Sequence, residues 1–280
     1  MGRNGLAQGG GKRVCSHPSP ETEHTLHSMR CIAIANQKGG VGKTTTAVNL
    51  AAALAAAGKR ALLIDLDPQA NATTGMGLAK TLNPNVYHVL LEEVGVMSAV
   101  RRAAQLDLLP ASPDLAGAEV ELVQRPQRES VLRRALEKAP DQWDYCLIDC
   151  PPALNLLTIN ALVAAERVLI PMQCEYYALE GLAQLLATIR RVRAQLNPKL
   201  ELHGVLRTMF DTRNRLAGEV GSELERHFPE KLYRTVVPRN VRLAEAPSYG
   251  KAVFDYDPHC AGAEAYRVLA AEFLQREWRP

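Results

Sequence analysis

The run NQKGGVGKTT, Asn36 to Thr45, sets three glycines ahead of a lysine and two threonines. Glycines let a backbone aim its N–H groups at phosphate oxygens, and a lysine and a hydroxyl beyond them supply a cation and a metal-ligating oxygen. The pattern G-x-x-x-x-G-K-[ST] fits from Gln37 to Thr44, except that Gln37 stands where the first glycine belongs. The next residue is Lys38, so the loop carries a second lysine besides Lys43. The candidate nucleotide ligands are therefore Lys38, Gly39, Gly40, Val41, Gly42, Lys43, Thr44 and Thr45. Lys43 suits the β- and γ-phosphates, and the Thr44 hydroxyl suits Mg²⁺.

Two carboxylates fit the same chemistry. LLIDLDPQAN closes an apolar run on Asp65, with Asp67 two residues on, and CLIDCPPALN closes another on Asp149. Ligands of an open parallel sheet bind at the carboxyl ends of its strands. A single aspartate ending an apolar strand holds Mg²⁺ directly or through water, which assigns Asp149 to the metal. Asp65 is expected to orient the attacking water. Asp67 either joins the site or only shapes the turn before Pro68.

These groups need strands to carry them. CIAIAN, RALLIDLD, LDLLPA, DYCLIDC, RVLIPMQ, LHGVLRTMF and LYRTVVP read as short apolar strands. Between and after them, KTTTAVNLAAALAAAG, ESVLRRALEKA, LNLLTINALVAA, LEGLAQLLATIRRVRAQL, LAGEVGSELERHF and GAEAYRVLAAEFLQRE read as helices, with Gly58 a C-cap. Alternating strands and helices predict an α/β chain: one P-loop domain with a mostly parallel twisted sheet and helices on both faces. That domain is expected over 29–280. Residues 1–28 lack apolar periodicity and read as a disordered tail or an upstream extension.

Composition excludes little else. Apolar residues make up 47% and charged ones 22%, as in ordinary globular chains. No apolar run reaches the roughly 18 residues that cross a bilayer. Lys12 and Arg13 are followed by no apolar signal core. The net charge of +3 is too small to announce nucleic-acid binding, so any such surface must be a local patch. Cys15, Cys31, Cys146, Cys150, Cys174 and Cys260 contain no C-x-x-C pair and read as reduced, mostly buried thiols.

With these motifs in order, the chain resembles the ParA/Soj branch of the ParA/MinD superfamily of P-loop ATPases. KGGVGKTT is that superfamily's deviant phosphate loop. The resemblance extends through LLIDLDPQANAT, LIDCPPALNLLTINAL, YRTVVPRNVRLAEAPSYGKAV and YDPHCAGAEAYRVLAAEF, from about Arg30 to about Phe273. It implies ATP and Mg²⁺ as cofactors, and an ATP-dependent homodimer in which Lys38 reaches phosphates held by the other subunit. It implies grip on double-stranded DNA, without sequence preference, through Arg213, Arg239 and Arg242, and adenine contacts at Pro238 and Asn240. A ParB-like centromere-binding partner, no membrane, and a cytoplasmic, nucleoid-associated location follow from the same resemblance. Arg215 matches less clearly. Arg190, Arg191 and Arg193 are explained by the helix C-terminus they occupy.

Three rivals share the phosphate loop. A MinD-type membrane ATPase needs a C-terminal amphipathic helix, whereas this chain stops at AAEFLQREWRP, where Phe273 and Trp278 could still touch lipid. An iron–sulfur reductase or cluster scaffold needs paired cysteines at a dimer axis, and Cys146 and Cys150 flank Asp149 with inconsistent directions. A self-repressing plasmid ParA carries an N-terminal helix-turn-helix domain, which 28 polar residues cannot fold.

Overall fold

A computed structural model describes Met1 and residues 29–277 of the chain. The expectation for residues 1–28, Met1 aside, and for Trp278 falls outside the described residues. The strands are β1 (Arg30–Ile34), β2 (Ala61–Asp65), β3 (Arg101–Ala103), β4 (Leu106–Leu109), β5 (Tyr145–Asp149), β6 (Arg167–Gln173), β7 (Glu201–Phe210) and β8 (Leu232–Pro238). They form one sheet in the order β3-β4-β2-β5-β1-β6-β7-β8. Every pairing is parallel except β3 with β4.

The central strands are apolar on both faces because helices cover both. Ile32 and Ile34 of β1 enter one core with Leu63 and Leu147, while Cys31 and Ala33 enter the other with Leu62, Ile64, Cys146 and Ile148. Side chains alternate along a strand, so a continuous apolar run feeds two cores at once. The register sets Asp65 opposite Asp149, and Asp149 opposite Ile34, where the phosphate loop leaves the sheet.

The loop feeds helix α1 (Lys43–Ala56), rich in alanine and leucine, which favour helix. It ends as the sequence suggests. Gly58 (φ +79°) donates to the Ala55 carbonyl at 2.9 Å and Lys59 to that of Leu54 at 3.0 Å, closing both orphan carbonyls.

Two kinds of element escape the sequence pattern. β3, reading RRA, is a strand only because it pairs antiparallel with β4. Helix α2 (Asn71–Gly75) is a single turn, too short to display a helical period. The helix Leu115–Val123 is also unanticipated, with Gly117 interrupting its pattern.

At the opposite edge from the loop, Glu277 ties three strands to the C-terminal helix Ala261–Glu277. Its carboxylate pairs with Arg30, with Arg167 at 2.9 Å and with the His203 Nε2–H at 2.9 Å. His203 Nδ1 accepts from the Tyr233 hydroxyl at 2.6 Å, and its ring stacks on Phe273 with centroids 4.6 Å apart. Burial alone would raise the Glu277 pKa, but the bonds from His203 and Arg30 hold it at about 2. The stability it contributes is complete above the ordinary value of 4.5 and is lost as pH falls toward 2. Glu277→Gln should cost roughly 2 kcal/mol near neutral pH, the scale of hydrogen bonds to a charged group. It should also flatten the acid limb of the stability curve over that window, read by urea melts from pH 5 downward.

Candidate functional site

The loop from residue 36 to residue 42 turns sharply because its glycines allow it. Gly40 (φ +72°) and Gly42 (φ +85°) lie in the left-handed region. Nothing stands within 4 Å of a Cβ built on Gly39 or Gly40, so the backbone there is open to a ligand. Asn36 fixes the entry: its amide donates to the Pro171 carbonyl at 2.7 Å and its Oδ1 accepts from the Lys38 N–H at 3.0 Å. No side chain caps α1 at Gly42, which leaves the first N–H groups and the positive end of the helix dipole for an anion. Gln37, in place of the first glycine, carries a buried amide nitrogen with no partner among the described residues.

The two lysines part company. Lys43 is 7% exposed, and its Nζ donates to the Lys38 carbonyl at 3.0 Å. Burial lowers its pKa, against the pull of Asp149, Cys150 and Asp67. Lys38 is exposed, and its ammonium pairs with Glu175 just beyond β6. Next to Glu175, Tyr176 and Tyr177 stand 74% and 72% exposed with their rings edge to face.

The carboxylates differ as sharply. Asp149 is fully buried, and neither of its oxygens has a hydrogen-bond partner among the described residues. Burial, then the neighbouring Asp65, push its pKa well up. The Thr44 hydroxyl is near enough to oppose that shift without making a well-formed hydrogen bond, and Lys43 opposes it too. Asp65, also fully buried, is taken up completely. Its Oδ2 accepts from the Thr73 N–H and hydroxyl, both at 2.7 Å, and its Oδ1 from the Asp67 N–H at 3.2 Å. Asp67 closes a turn through its Oδ1, which accepts from the Gln69 N–H at 2.9 Å. Its Oδ2 accepts no bond among the described residues, and its charge reaches Lys43.

Sequence reading did not find Thr73 or Glu175. Thr73 sits in the single turn of α2, and Glu175 carries no motif; its place just after a strand's carboxyl end was the available signal.

Pro238 and Asn240 lie at and just beyond the carboxyl end of β8, where Asn240 caps the helix Val241–Glu245 by accepting from the Arg242 N–H at 3.0 Å. Arg239 precedes that cap, so Arg239 and Arg242 do not share a helical face. The sheet instead joins Arg239 to Arg213. Phe210 pairs with Pro238, and Asp211, just beyond β7, feels the charge of both arginines. Arg213 clasps Asp211 at 2.9 and 2.8 Å; that clasp, the Arg213 N–H and the Arg239 charge hold the Asp211 carboxyl at about 2. Arg242 pairs with Glu245 at 2.7 Å and with Asp257 at 3.3 Å, and Arg215 pairs with Glu219 at 2.8 Å. Arg239 is exposed and makes no ion pair among the described residues. Arg190, Arg191 and Arg193 point to solvent in the last turns of the helix Ala178–Gln195.

Cys146 and Cys150, weighed for a cluster, are 0% and 1% exposed, and burial raises both thiols. Among the described residues, no group of three His, Cys, Asp or Glu side chains could hold a metal by itself. No described helix is long and apolar enough to cross a membrane.

A family model described as an AAA domain matches residues 29–202. The chain is 53% identical over 258 residues to the chromosome partitioning protein ParA of Caulobacter vibrioides, covering 90% of this chain and 97% of that one. It is 55% identical over 248 residues to the chromosome-partitioning ATPase Soj of Thermus thermophilus, covering 89% and 96%. A crystal structure named as cobyrinic acid a,c-diamide synthase from Mycobacterium smegmatis, with an ATP analogue and magnesium, superposes with a TM-score of 0.79. It shares 40% identity over 90% of this chain and 96% of its own.

The buried, unpartnered Asp149 makes a stability test. A carboxyl whose folded pKa is raised keeps its proton where the unfolded chain has lost it, so its contribution to stability falls as pH rises above 3.8. In ligand-free protein, Asp149→Asn should raise the melting temperature at pH 7 by about 3 °C or more, corresponding to roughly 1 kcal/mol. The gain should shrink as pH falls toward 4. A melting temperature unchanged at both pH values would contradict the reading.

Proposed function

Because this chain belongs to the ParA/Soj family of chromosome-partitioning ATPases, we propose that its ATP-bound form dimerises, grips DNA without sequence preference, and lets go when ATP is hydrolysed. The observation that carries this is the separation of the two loop lysines, one buried beside the carboxylates and one at the exposed rim. The synthase chemistry in the name of the Mycobacterium smegmatis structure is set aside because identity to the partition proteins is higher, 53% and 55% against 40% over similar spans.

Lys43 and the open N–H groups of the loop hold the phosphate chain. Asp149 and Thr44 would hold Mg²⁺: a buried carboxylate without a partner next to a hydroxyl suits a hard cation. Bound there, Mg²⁺ supplies charge that neutralises the β- and γ-phosphates. The water-orienting role expected of Asp65 is better placed on Asp67. Asp65 has both oxygens engaged and fixes the Asp67 backbone, whereas Asp67 keeps one oxygen free on the Lys43 side. Water held by Asp67 attacks the γ-phosphorus, the bond to the β-phosphate oxygen breaks, and ADP and phosphate leave. Lys38, released from Glu175, crosses to the phosphates of the second subunit and neutralises charge that only a dimer brings within reach.

Arg239 makes the first contact with DNA phosphate, since Arg213 and Arg242 must first exchange a carboxylate for it. Doubling the patch in a dimer turns weak contacts into useful affinity. Six contacts would give log K a slope of about −5 against log salt. A ParB-like partner at a centromere site stimulates hydrolysis and so meets a moving gradient of DNA-bound ATPase.

The deciding measurement is duplex DNA affinity with ATP, with ADP and without nucleotide; equal affinities would end this reading. Arg239→Glu should abolish DNA binding while ATP-dependent dimerisation survives.

The lysines should separate as well. Lys43→Ala should weaken ATP binding tenfold or more, while Lys38→Ala should bind ATP normally and lose the hydrolysis that dimerisation stimulates. Asp67→Ala should bind ATP and DNA without turnover, whereas Asp65→Ala should chiefly lower the melting temperature. Normal hydrolysis by Asp67→Ala would return the role to Asp65.

A further inference from the structure

β7 is the longest strand of the sheet, ten residues, and its carboxyl end joins the phosphate loop to the basic patch. Thr208 is 2% exposed, and its hydroxyl donates to the Val41 carbonyl inside the loop at 2.7 Å. A Cβ at Gly42 would lie 3.8 Å from the Thr208 Cβ and Cγ2, so Thr208 also lies alongside the next loop residue. The next strand residue, Met209, has φ +48°, a left-handed conformation that residues with a side chain adopt at a cost. Phe210 then pairs with Pro238, and Asp211 clasps Arg213 with Arg239 nearby. Two residues separate a hydroxyl buried against the phosphate loop from the acid that meets the charge of two arginines.

We propose that Thr208 is a positioning residue that couples the state of the phosphate loop to the presentation of Arg213 and Arg239. The proposal rests on the DNA-binding reading above. When the loop re-aims its N–H groups at a phosphate chain, the Val41 carbonyl on the other side of that backbone moves with them. The Thr208 hydroxyl follows its acceptor. Met209 gives the strand end a second state, because leaving the left-handed region relieves its strain. Asp211 and the arginines on either side of it are carried along. A nucleotide shifts a patch only through an interaction that differs between the two states. That differing interaction is the one between nucleotide and loop, and the bond from Thr208 to Val41 is the link that passes it to the strand.

The test uses the full chain and measures the ratio of duplex DNA affinities with ATP and with ADP, alongside ATP affinity and melting temperature. Thr208→Val keeps the shape and removes the hydroxyl. It should bind ATP within threefold of the parent and still dimerise, but its ATP-to-ADP ratio should fall at least tenfold. Thr208→Ser, which restores the hydroxyl, should recover the ratio to within threefold. A variant that only props the loop would lose ATP affinity and keep the ratio, and that result overturns the proposal. Met209→Gly decides the matter if Thr208→Val does not fold. It keeps the hydroxyl bond but removes the strain, and should lower the ratio tenfold without lowering the melting temperature; an unchanged ratio there also overturns the coupling. If the parent chain shows no ATP dependence of DNA binding, the partition reading fails and the coupling with it. A clear dependence in the parent that Thr208→Val preserves removes the coupling alone.

Discussion

A carboxylate without a hydrogen-bond partner, buried at the carboxyl end of a central strand, is the constraint around which the rest of this structure is arranged. Among the described residues, no protein group satisfies either oxygen of Asp149. Burying a carboxylate unpaired is costly, and here burial and the nearby Asp65 raise its pKa well up. A sheet built only for stability would have placed a leucine there. The register that sets Asp149 opposite Asp65 and beside the exit of β1 keeps that carboxyl next to Lys43 and Thr44, both of which oppose the rise in its pKa. The parallel sheet holds Asp149 in place by packing both faces of β1, β2 and β5.

The opposite edge of the molecule has the reverse character. Glu277 meets Arg30, Arg167 and His203, and His203 meets Tyr233, so each polar atom of that cluster that is named above finds a partner. The satisfied Glu277 cluster lies where β1, β6 and β7 begin, and the unpartnered Asp149 where β5 ends. This polarity is a property of parallel sheets. All carboxyl ends lie on one edge, so loops, carboxylates and basic residues from distant parts of the chain converge there.

Similar residues take different duties through their second contacts. Lys43 turns inward to the Lys38 carbonyl while Lys38 turns outward to Glu175. Asp65 is consumed by Thr73, and by holding the Asp67 N–H it sets the residue that keeps a free oxygen. Arg213 and Arg242 are held by acids, and Arg239 has no such partner among the described residues. Such exposed pairs are individually weak, so exchanging the acid for another anion requires little energy.

The sequence by itself determined the loop, its glycines, both lysines and the two strand-end aspartates. Each depends on local spacing: a glycine-rich turn between an apolar strand and an alanine-rich helix, and apolar runs ending in a carboxylate. It also determined seven of the strands, the central ones because residues packed on two faces must be apolar and β7 and β8 from shorter apolar stretches broken by polar residues. Tertiary structure decided the rest. RRA becomes β3 only by pairing with β4. Thr73, invisible as a motif, takes both the Asp65 oxygen and the Ala111 N–H into one buried node. Arg239 joins Arg213 through the pairing of β7 with β8 rather than joining Arg242 through a helix. Thr208 reaches Val41 from 167 residues away. Contacts of that range depend on strand order and register, which are set by the packing of the whole sheet and not by any window of neighbouring residues.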